Sequence, residues 1–119
     1  MAETSTLESQ LDLWRVQQAQ RRDLNDDFEA LRPVEHFACF RRRAFANVAG
    51  AQLRSQGFTV TIKRKGLDTV LQATREEPLD HASVERFLGE VIAIVERSQG
   101  EYDGWGAAVE ASSERHTTT

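Results

Sequence analysis

The sequence predicts an α+β domain of the ferredoxin-like class, an antiparallel four-stranded sheet with two helices on one face and an extra N-terminal helix. Three observations predict it. After Pro33 the predicted elements follow the order strand, helix, strand, strand, helix, strand, which is the split βαβ arrangement. Two segments carry apolar residues at the helical period, and other segments alternate or form short apolar runs. The length of 119 residues suits one such domain.

The N-terminal segment is predicted to be a helix that ends at about Arg22, with Ser5 or Thr6 as its cap. Its narrow apolar stripe is formed by Leu7, Leu11 and Trp14. The acidic stretch 23–27 is a poor helix interior and predicts a turn. A second short apolar stripe is formed by Leu24, Phe28 and Leu31. The sheet face opposite the two domain helices can be covered only by this helix or by a partner. Because a small domain needs the burial, we expect the helix to cover its own sheet, with a partner's sheet as the alternative.

These features divide the chain into three parts. Residues 1–32 form the N-terminal helix and the acidic turn, and residues 33–112 form the ferredoxin-like domain. Residues 113–119 are small and polar, and we expect them to be a disordered tail.

The first half of the domain is predicted to be a strand, a helix and a second strand. Residues 34–40 form a central strand, since both of its faces are largely apolar. Cys39 is expected to be a small buried residue there. Residues 41–56 form a helix, and Gly57 occupies the left-handed position that commonly ends one. The core face of the next strand, 58–65, is formed by Phe58, Val60 and Ile62.

The second half repeats this pattern. Residues 65–68 predict a hairpin turn, and residues 69–75 return as a strand. Asp80 is the predicted N-cap of a helix that runs to about Ser98. The final strand is predicted at 102–111, and one of its sides is formed by Trp105, Ala107 and Val109.

Composition and spacing exclude several classes of function. A net charge of -4 gives no overall attraction to nucleic acid. No apolar run is long enough to span a bilayer, and no secretory signal begins the sequence, so we expect no membrane association. A single cysteine allows no intramolecular disulfide, and we expect a cytoplasmic protein.

The residues also argue against catalysis and metal binding. His36 and Cys39 lie three positions apart on a strand and point to opposite faces, so they cannot share a metal ion. No phosphate-binding glycine loop and no nucleophile elbow is present. The adjacent carboxylates at 26–27 and 76–77 are typical of solvated loops. We therefore predict a protein that is not an enzyme and needs no cofactor and no metal.

Two basic runs are candidate contacts for a partner. The arginine run consists of Arg41, Arg42 and Arg43, and the hairpin run consists of Lys63, Arg64 and Lys65. The arginine run opposes the dipole of the helix that it begins. One interpretation is a solvated charged turn; the other is a contact with an acidic partner or with phosphate. RNA readers of this fold class stack bases on aromatic residues of the middle strands. Strand 69–75 has none, so we predict no specific nucleic-acid binding.

The segment 101–106 is the most distinctive in the chain. Asp103 and Gly104 favour a turn or a kinked strand entry, and glycines flank Trp105. Tyr102 and Trp105 have two interpretations. They either anchor the last strand to the core or form a partly exposed aromatic patch for a partner.

These residues resemble a known family. The Tyr-Asp-Gly-Trp-Gly run at 102–106 is similar to the signature of the regulator of ribonuclease E activity B family. The segments 23–27, 32–37 and 57–60 also resemble parts of that family. The resemblance implies a bacterial protein with a ferredoxin-like domain and no catalytic residues, which binds ribonuclease E and lowers its activity. Some members carry a long acidic C-terminal tail that this sequence lacks, so inhibition that depends on such a tail is not expected.

The predicted function is therefore non-catalytic regulation of RNA turnover through a protein partner, ribonuclease E or a related RNA-processing enzyme. The predicted partner-binding residues are the arginine run and Tyr102, Asp103, Gly104 and Trp105. The alternative is a ferredoxin-like sensor domain that binds a small molecule, with the basic runs holding an anionic ligand. The sequence leaves a homo-oligomer open.

Overall fold

The computed structural model describes residues 5–111 as three helices and a four-stranded sheet. The elements in chain order are α1 (Thr6–Asp23), β1 (Arg32–Phe40), α2 (Arg43–Ser55), β2 (Thr59–Lys65), β3 (Asp68–Glu77), α3 (His81–Arg97) and β4 (Glu101–Ala107). The sheet order is β2-β3-β1-β4, and every neighbouring pair is antiparallel. This combination is the ferredoxin-like arrangement, and the predicted fold class is confirmed.

The core lies between the two domain helices and one face of the sheet. Alternate residues of β1 are buried, and the core side of that strand is formed by Val34, His36, Ala38 and Phe40. Helix α2 packs on β2 and β3, while α3 packs on β4 and on α2. The predicted central position of β1 is confirmed, since it pairs with both β3 and β4.

Helix α1 packs within its own chain, as expected, but the prediction that it covers the sheet face opposite the two domain helices is wrong. Its N-terminus carries a capping box, in which Ser5 accepts from the Glu8 amide and Glu8 accepts from the Ser5 amide. Trp14 is fully buried, and its ring lies against the rings of Phe28 and Trp105. The helix contacts α3 and therefore lies on the helical side of the molecule. No helix within residues 5–111 has the length and hydropathy that crossing a membrane requires.

The second apolar stripe is only partly correct. Phe28 packs against the core, but Leu24 and Leu31 expose 61% and 63% of their surface. Leu24 is the C-cap of α1, and the chain reverses at Asn25, which has a positive φ. The reversal breaks the helical spacing on which the predicted stripe depends.

The second face of the sheet is covered by none of the helices of residues 5–111. On β1 this open face is formed by Pro33, Glu35, Phe37 and Cys39. The prediction that Cys39 is buried is wrong. The residue is only partly buried, because its side of the strand has no helix packed on it.

The prediction that the last strand continues to residue 111 is also wrong. Strand β4 ends at Ala107, and Val109 is exposed. The carbonyls of Ala107 and Ala108 accept hydrogen bonds from arginine side chains instead of from a strand. The chain then pairs with the acidic turn, where Asp26 forms a β-bridge with Ala111.

Candidate functional site

Both basic runs lie at one end of the sheet, which we call the hairpin end. The arginine run directly follows β1, and the hairpin run closes β2 at the turn into β3. Thr69 on β3 pairs with Phe40 on one side and with Arg64 on the other, which fixes the two runs at the same end. All six side chains are exposed, and none forms an ion pair within residues 5–111.

The arginine run occupies an unfavourable position for its charge. Arg42 is the N-cap of α2, makes no side-chain capping hydrogen bond, and no acidic residue follows in the first turn. Cations at a helix N-terminus are repelled by the helix dipole. In contrast, Ser5 caps α1 and Asp80 caps α3 through their side chains. A local rule broken at one helix while its neighbours obey it is typical of a functional surface.

A cleft of about 290 Å³ opens beside the arginine run. It is lined by Cys39, Phe40, Arg41, Asp68, Gln99, Gly100 and Glu101. Burial raises the pKa of the Cys39 thiol, and the carboxylates of Asp68 and Asp103 raise it further. The thiol is therefore protonated at neutral pH and is a poor nucleophile.

The segment 101–106 enters the sheet through a β-bulge. The register between β1 and β4 shifts between Phe37 and Ala38, and Gly104 has a φ of +128°. This φ favours glycine. Because of the bulge, Tyr102 and Trp105 face the same side of the sheet although they lie three residues apart.

That side is the core. The Tyr102 hydroxyl lies 2.8 Å from Nδ1 of His36 and is buried, which raises its pKa well above the usual range. The Trp105 ring packs against Trp14 and against Phe87 of α3. The anchoring interpretation therefore describes both aromatic residues. Asp103 remains exposed at the bulge. Its pKa is raised, first because part of the carboxyl group is shielded from water and second because the Glu101 carboxylate is close.

His36 lies at the centre of the core. The rings around it belong to Phe58, Phe87 and Tyr102. Burial lowers its pKa to about 3, and the Arg75 guanidinium contributes a smaller part of the shift. The imidazole is thus neutral at physiological pH, and it does not share a face with Cys39, as predicted. Within residues 5–111 no three His, Cys, Asp or Glu side chains are arranged to hold a metal ion.

The opposite end of the sheet, which we call the bridge end, contains a buried charge cluster. The prediction that the carboxylates at 26–27 and 76–77 are solvated is therefore wrong for Asp26 and Glu77, which are both buried. Asp26 lies between Arg32 and Arg21, with oxygen–nitrogen distances of 2.7 and 2.9 Å. The three side chains are at most 9% exposed. Burial alone would raise the pKa of Asp26, but the hydrogen bonds from Arg32 and Arg21 outweigh it and hold the pKa below its usual value.

The arrangement defines the class of protein. It is a small ferredoxin-like domain in which the core accounts for the aromatic signature, and two runs of exposed cations lie at one end of the sheet. Such a distribution suits a domain that binds a partner.

Comparison with known families agrees with this class. The chain belongs to the RraB family, described as regulator of ribonuclease activity B, whose model matches residues 16–107. A search of curated proteins finds no match. The family is one of regulators of ribonuclease activity rather than of catalysts, which fits the predicted absence of catalysis.

Proposed function

We propose that this protein binds ribonuclease E or a related RNA-processing enzyme in the bacterial cytoplasm and thereby changes RNA turnover, with the hairpin end as the contact surface. Membership of the family supports a regulatory role. The observation that carries the proposal is the set of six exposed cations at the hairpin end, none of which has an ionic partner within residues 5–111.

The chemistry of the hairpin end favours an acidic protein surface. An arginine can bind a carboxylate through two parallel hydrogen bonds, so Arg41, Arg42 and Arg43 offer three such contacts. The protein as a whole carries a charge of -4, so an acidic partner is attracted to this end and repelled elsewhere. Electrostatic attraction of this kind orients the encounter and excludes other orientations.

Strand β4 contributes to the proposed site in two ways. Tyr102 and Trp105 act as positioning residues, since they anchor the strand on both sides of the bulge. Asp103 and Gly104 are the parts of the bulge that a partner can reach. Asp103 and Arg41 both lie near Cys39. The Asp103 carboxylate raises the pKa of the Cys39 thiol, and Arg41 lines the same cleft as Cys39.

Affinity for ribonuclease E from the same host tests the proposal. The variant Arg41→Gln/Arg42→Gln/Arg43→Gln removes three charges from the hairpin end. If each contact contributes about 1 kcal/mol, the affinity falls roughly 100-fold. The matched control is Arg15→Gln/Arg22→Gln/Arg54→Gln, which removes three exposed arginine charges elsewhere. We expect the control to bind within about twofold of the wild type in calorimetry, since charges away from an interface matter little.

Two results contradict the proposal. Equal losses in both triple variants would mean that only net charge matters. A wild-type protein that does not bind the enzyme at tens of micromolar would remove ribonuclease E as the partner.

RNA is not the proposed partner. The open face carries a single aromatic side chain within residues 5–111, Phe37, and β3 contributes none. Stacking platforms for bases need aromatic residues on both middle strands. Salt-resistant, sub-micromolar binding of single-stranded RNA in a filter assay would overturn this part of the proposal.

A second candidate function, ligand sensing, is favoured by the cleft beside Arg41. Its lining combines the Arg41 cation with the carboxylates of Asp68 and Glu101, which suits a small ligand that carries both charges. Thermal denaturation against a metabolite panel separates the two candidates, since a specific ligand raises the melting temperature by mass action.

A further inference from the structure

Helix α1 and its C-cap residue carry an apolar stripe that faces solvent, which we call the α1 stripe. Leu13, Val16 and Leu24 expose 57%, 58% and 61% of their surface. At 100° per residue they fall within an arc of roughly 80°, and Trp14 and Leu11 lie on a different side of the helix. Gln20, which lies on the same side between Val16 and Leu24, is uncharged. One side of α1 is therefore docked on the domain, and a second apolar side has no partner within residues 5–111.

Acidic residues border this solvent-facing stripe. Asp12 and Asp23 lie along one flank, and both are exposed. Asp23 has no ion pair with any residue of 5–111, while Asp12 pairs with Arg15 on the surface, a contact that contributes little. Glu29 extends the acidic border into the turn that follows. The surface is thus apolar in the middle and negative at its edge.

The tip of the β2–β3 hairpin has the complementary composition. Leu67 is the most exposed large apolar residue among residues 5–111, with 88% of its surface accessible. It stands next to Lys63, Arg64 and Lys65, all exposed. Asp68, which follows Leu67 and is also exposed, adds one negative charge, so the charge around the knob is positive on balance. The same chain carries an apolar stripe that is bordered by negative charge.

We propose that the hairpin tip of one copy docks on the α1 stripe of a second copy, with Leu67 packed against Leu13 and Val16. The two surfaces are complementary, because each offers an apolar group to bury and their charges are opposite in sign. Two different patches meet, so the contact is heterologous. It covers the hairpin run and therefore competes with any acidic partner at that surface. The proposal concerns the protein alone and does not depend on the ribonuclease assignment.

The contact is small, so the association is weak and depends on salt. Burial of one leucine knob and a few exposed charges suits a dissociation constant in the range of tens to hundreds of micromolar. Sedimentation velocity between about 5 and 500 µM should show a mass average that rises above the 13.4 kDa of one chain. The rise should shrink at high salt, since surface charges are screened.

Three variants locate the contact. Leu67→Ser removes the apolar knob, and Leu13→Ser removes one apolar side chain from the α1 stripe. Each variant should weaken self-association at least tenfold. Both residues are exposed, so the fold is retained. Val48→Ser removes an apolar residue of similar exposure, 52%, from α2 and should leave association unchanged.

A mixture of variants distinguishes this contact from a symmetric one. Leu67→Ser still has an intact stripe, and Leu13→Ser still has an intact knob. Their mixture should therefore associate although neither associates alone, with an affinity close to that of the wild type. The proposal is overturned if the wild type keeps the mass of one chain throughout, if either variant associates like the wild type, or if the mixture does not associate.

Discussion

Charged side chains are arranged in opposite ways at the two ends of the sheet. At the bridge end, Asp26 is enclosed by Arg21 and Arg32, and no side chain of the cluster exposes more than 9% of its surface. At the hairpin end, six cations are exposed and unpaired within residues 5–111. The first arrangement holds distant parts of the chain together. The second holds nothing together and leaves its charges available to a partner.

The bridge end shows what paired charges do for the fold. Arg32 donates to Asp26 and to the carbonyl of Ala108, and Arg21 donates to the carbonyl of Ala107. These bonds join α1, the acidic turn, β1 and the end of β4. Close by, Glu77 accepts from Arg75 and from Arg86, so this second ion-pair group is satisfied as well.

Removal of the central carboxylate should have the largest effect. Asp26→Ala leaves two buried guanidinium groups without their anion, and we expect a loss of about 3–5 kcal/mol in the free energy of unfolding. Urea denaturation measures it. The control Asp23→Ala removes an exposed carboxylate three residues away and should change stability by less than about 0.5 kcal/mol. Equal effects of the two changes would show that the cluster does not hold the bridge end.

The pH dependence of stability should be dominated by His36, which lies between the two ends. Its pKa is about 3 in the fold and 6.5 in the unfolded chain, so the unfolded chain binds more protons between these values. The contribution of the neutral imidazole is complete above pH 6.5 and is lost as the pH falls towards 3. We expect a decrease of about 2–3 kcal/mol between pH 7 and pH 4.5.

Urea titrations at several pH values test this expectation. His36→Gln should flatten the dependence between pH 6.5 and 4.5, whatever its effect on stability at neutral pH. Asp26 has a pKa below 3.8, so its contribution is complete above that value and is lost only at lower pH. An unchanged slope in His36→Gln would contradict the account.

The uncapped start of α2 should be improvable. Arg42→Asp supplies a side-chain cap and reverses a charge that the helix dipole repels, and we expect a gain of about 1 kcal/mol in stability. Asp80→Ala, the matched change at the capped helix α3, should cost about 1 kcal/mol. The stabilised Arg42→Asp protein should bind ribonuclease E more weakly. A variant that gains stability and keeps full affinity would mean that the arginine run is not part of the site.

The smallest effect concerns the thiol beside the cleft. Burial and the carboxylates of Asp68 and Asp103 raise the pKa of Cys39, so iodoacetamide should modify it severalfold more slowly at pH 8 than an unstructured cysteine. Asp68→Asn should accelerate the modification, whereas Glu76→Gln, at the bridge end, should not. Equal rates in all three proteins would show that the carboxylates do not act on the thiol.

Much of the fold could be predicted because its signals are local. The alternation of Phe58, Val60 and Ile62 and the cap at Asp80 each depend on neighbouring residues, and both are observed. The end of β4 could not be predicted, since its strand pattern is interrupted by arginines more than 70 residues away. The Arg21–Asp26–Arg32 cluster depends on the same distant contacts.

The candidate site divides in the same way. Exposure of the arginine run could be predicted from its charge alone. The direction of Tyr102 and Trp105 depends on a bulge at Asp103, and one shifted residue reverses the face to which a side chain points. Their place in a partner site stays a prediction, as does the division of the chain at residues 32 and 112. The tail at 113–119 lies outside the described residues.

The most direct test of the central claim is the rate of RNA cleavage by ribonuclease E with increasing amounts of the protein. We expect the wild type and the Arg15→Gln/Arg22→Gln/Arg54→Gln control to lower the rate at the same concentrations. The Arg41→Gln/Arg42→Gln/Arg43→Gln protein should require roughly 100-fold more for the same effect. Equal inhibition by all three proteins would contradict the assignment of the hairpin end as the contact surface.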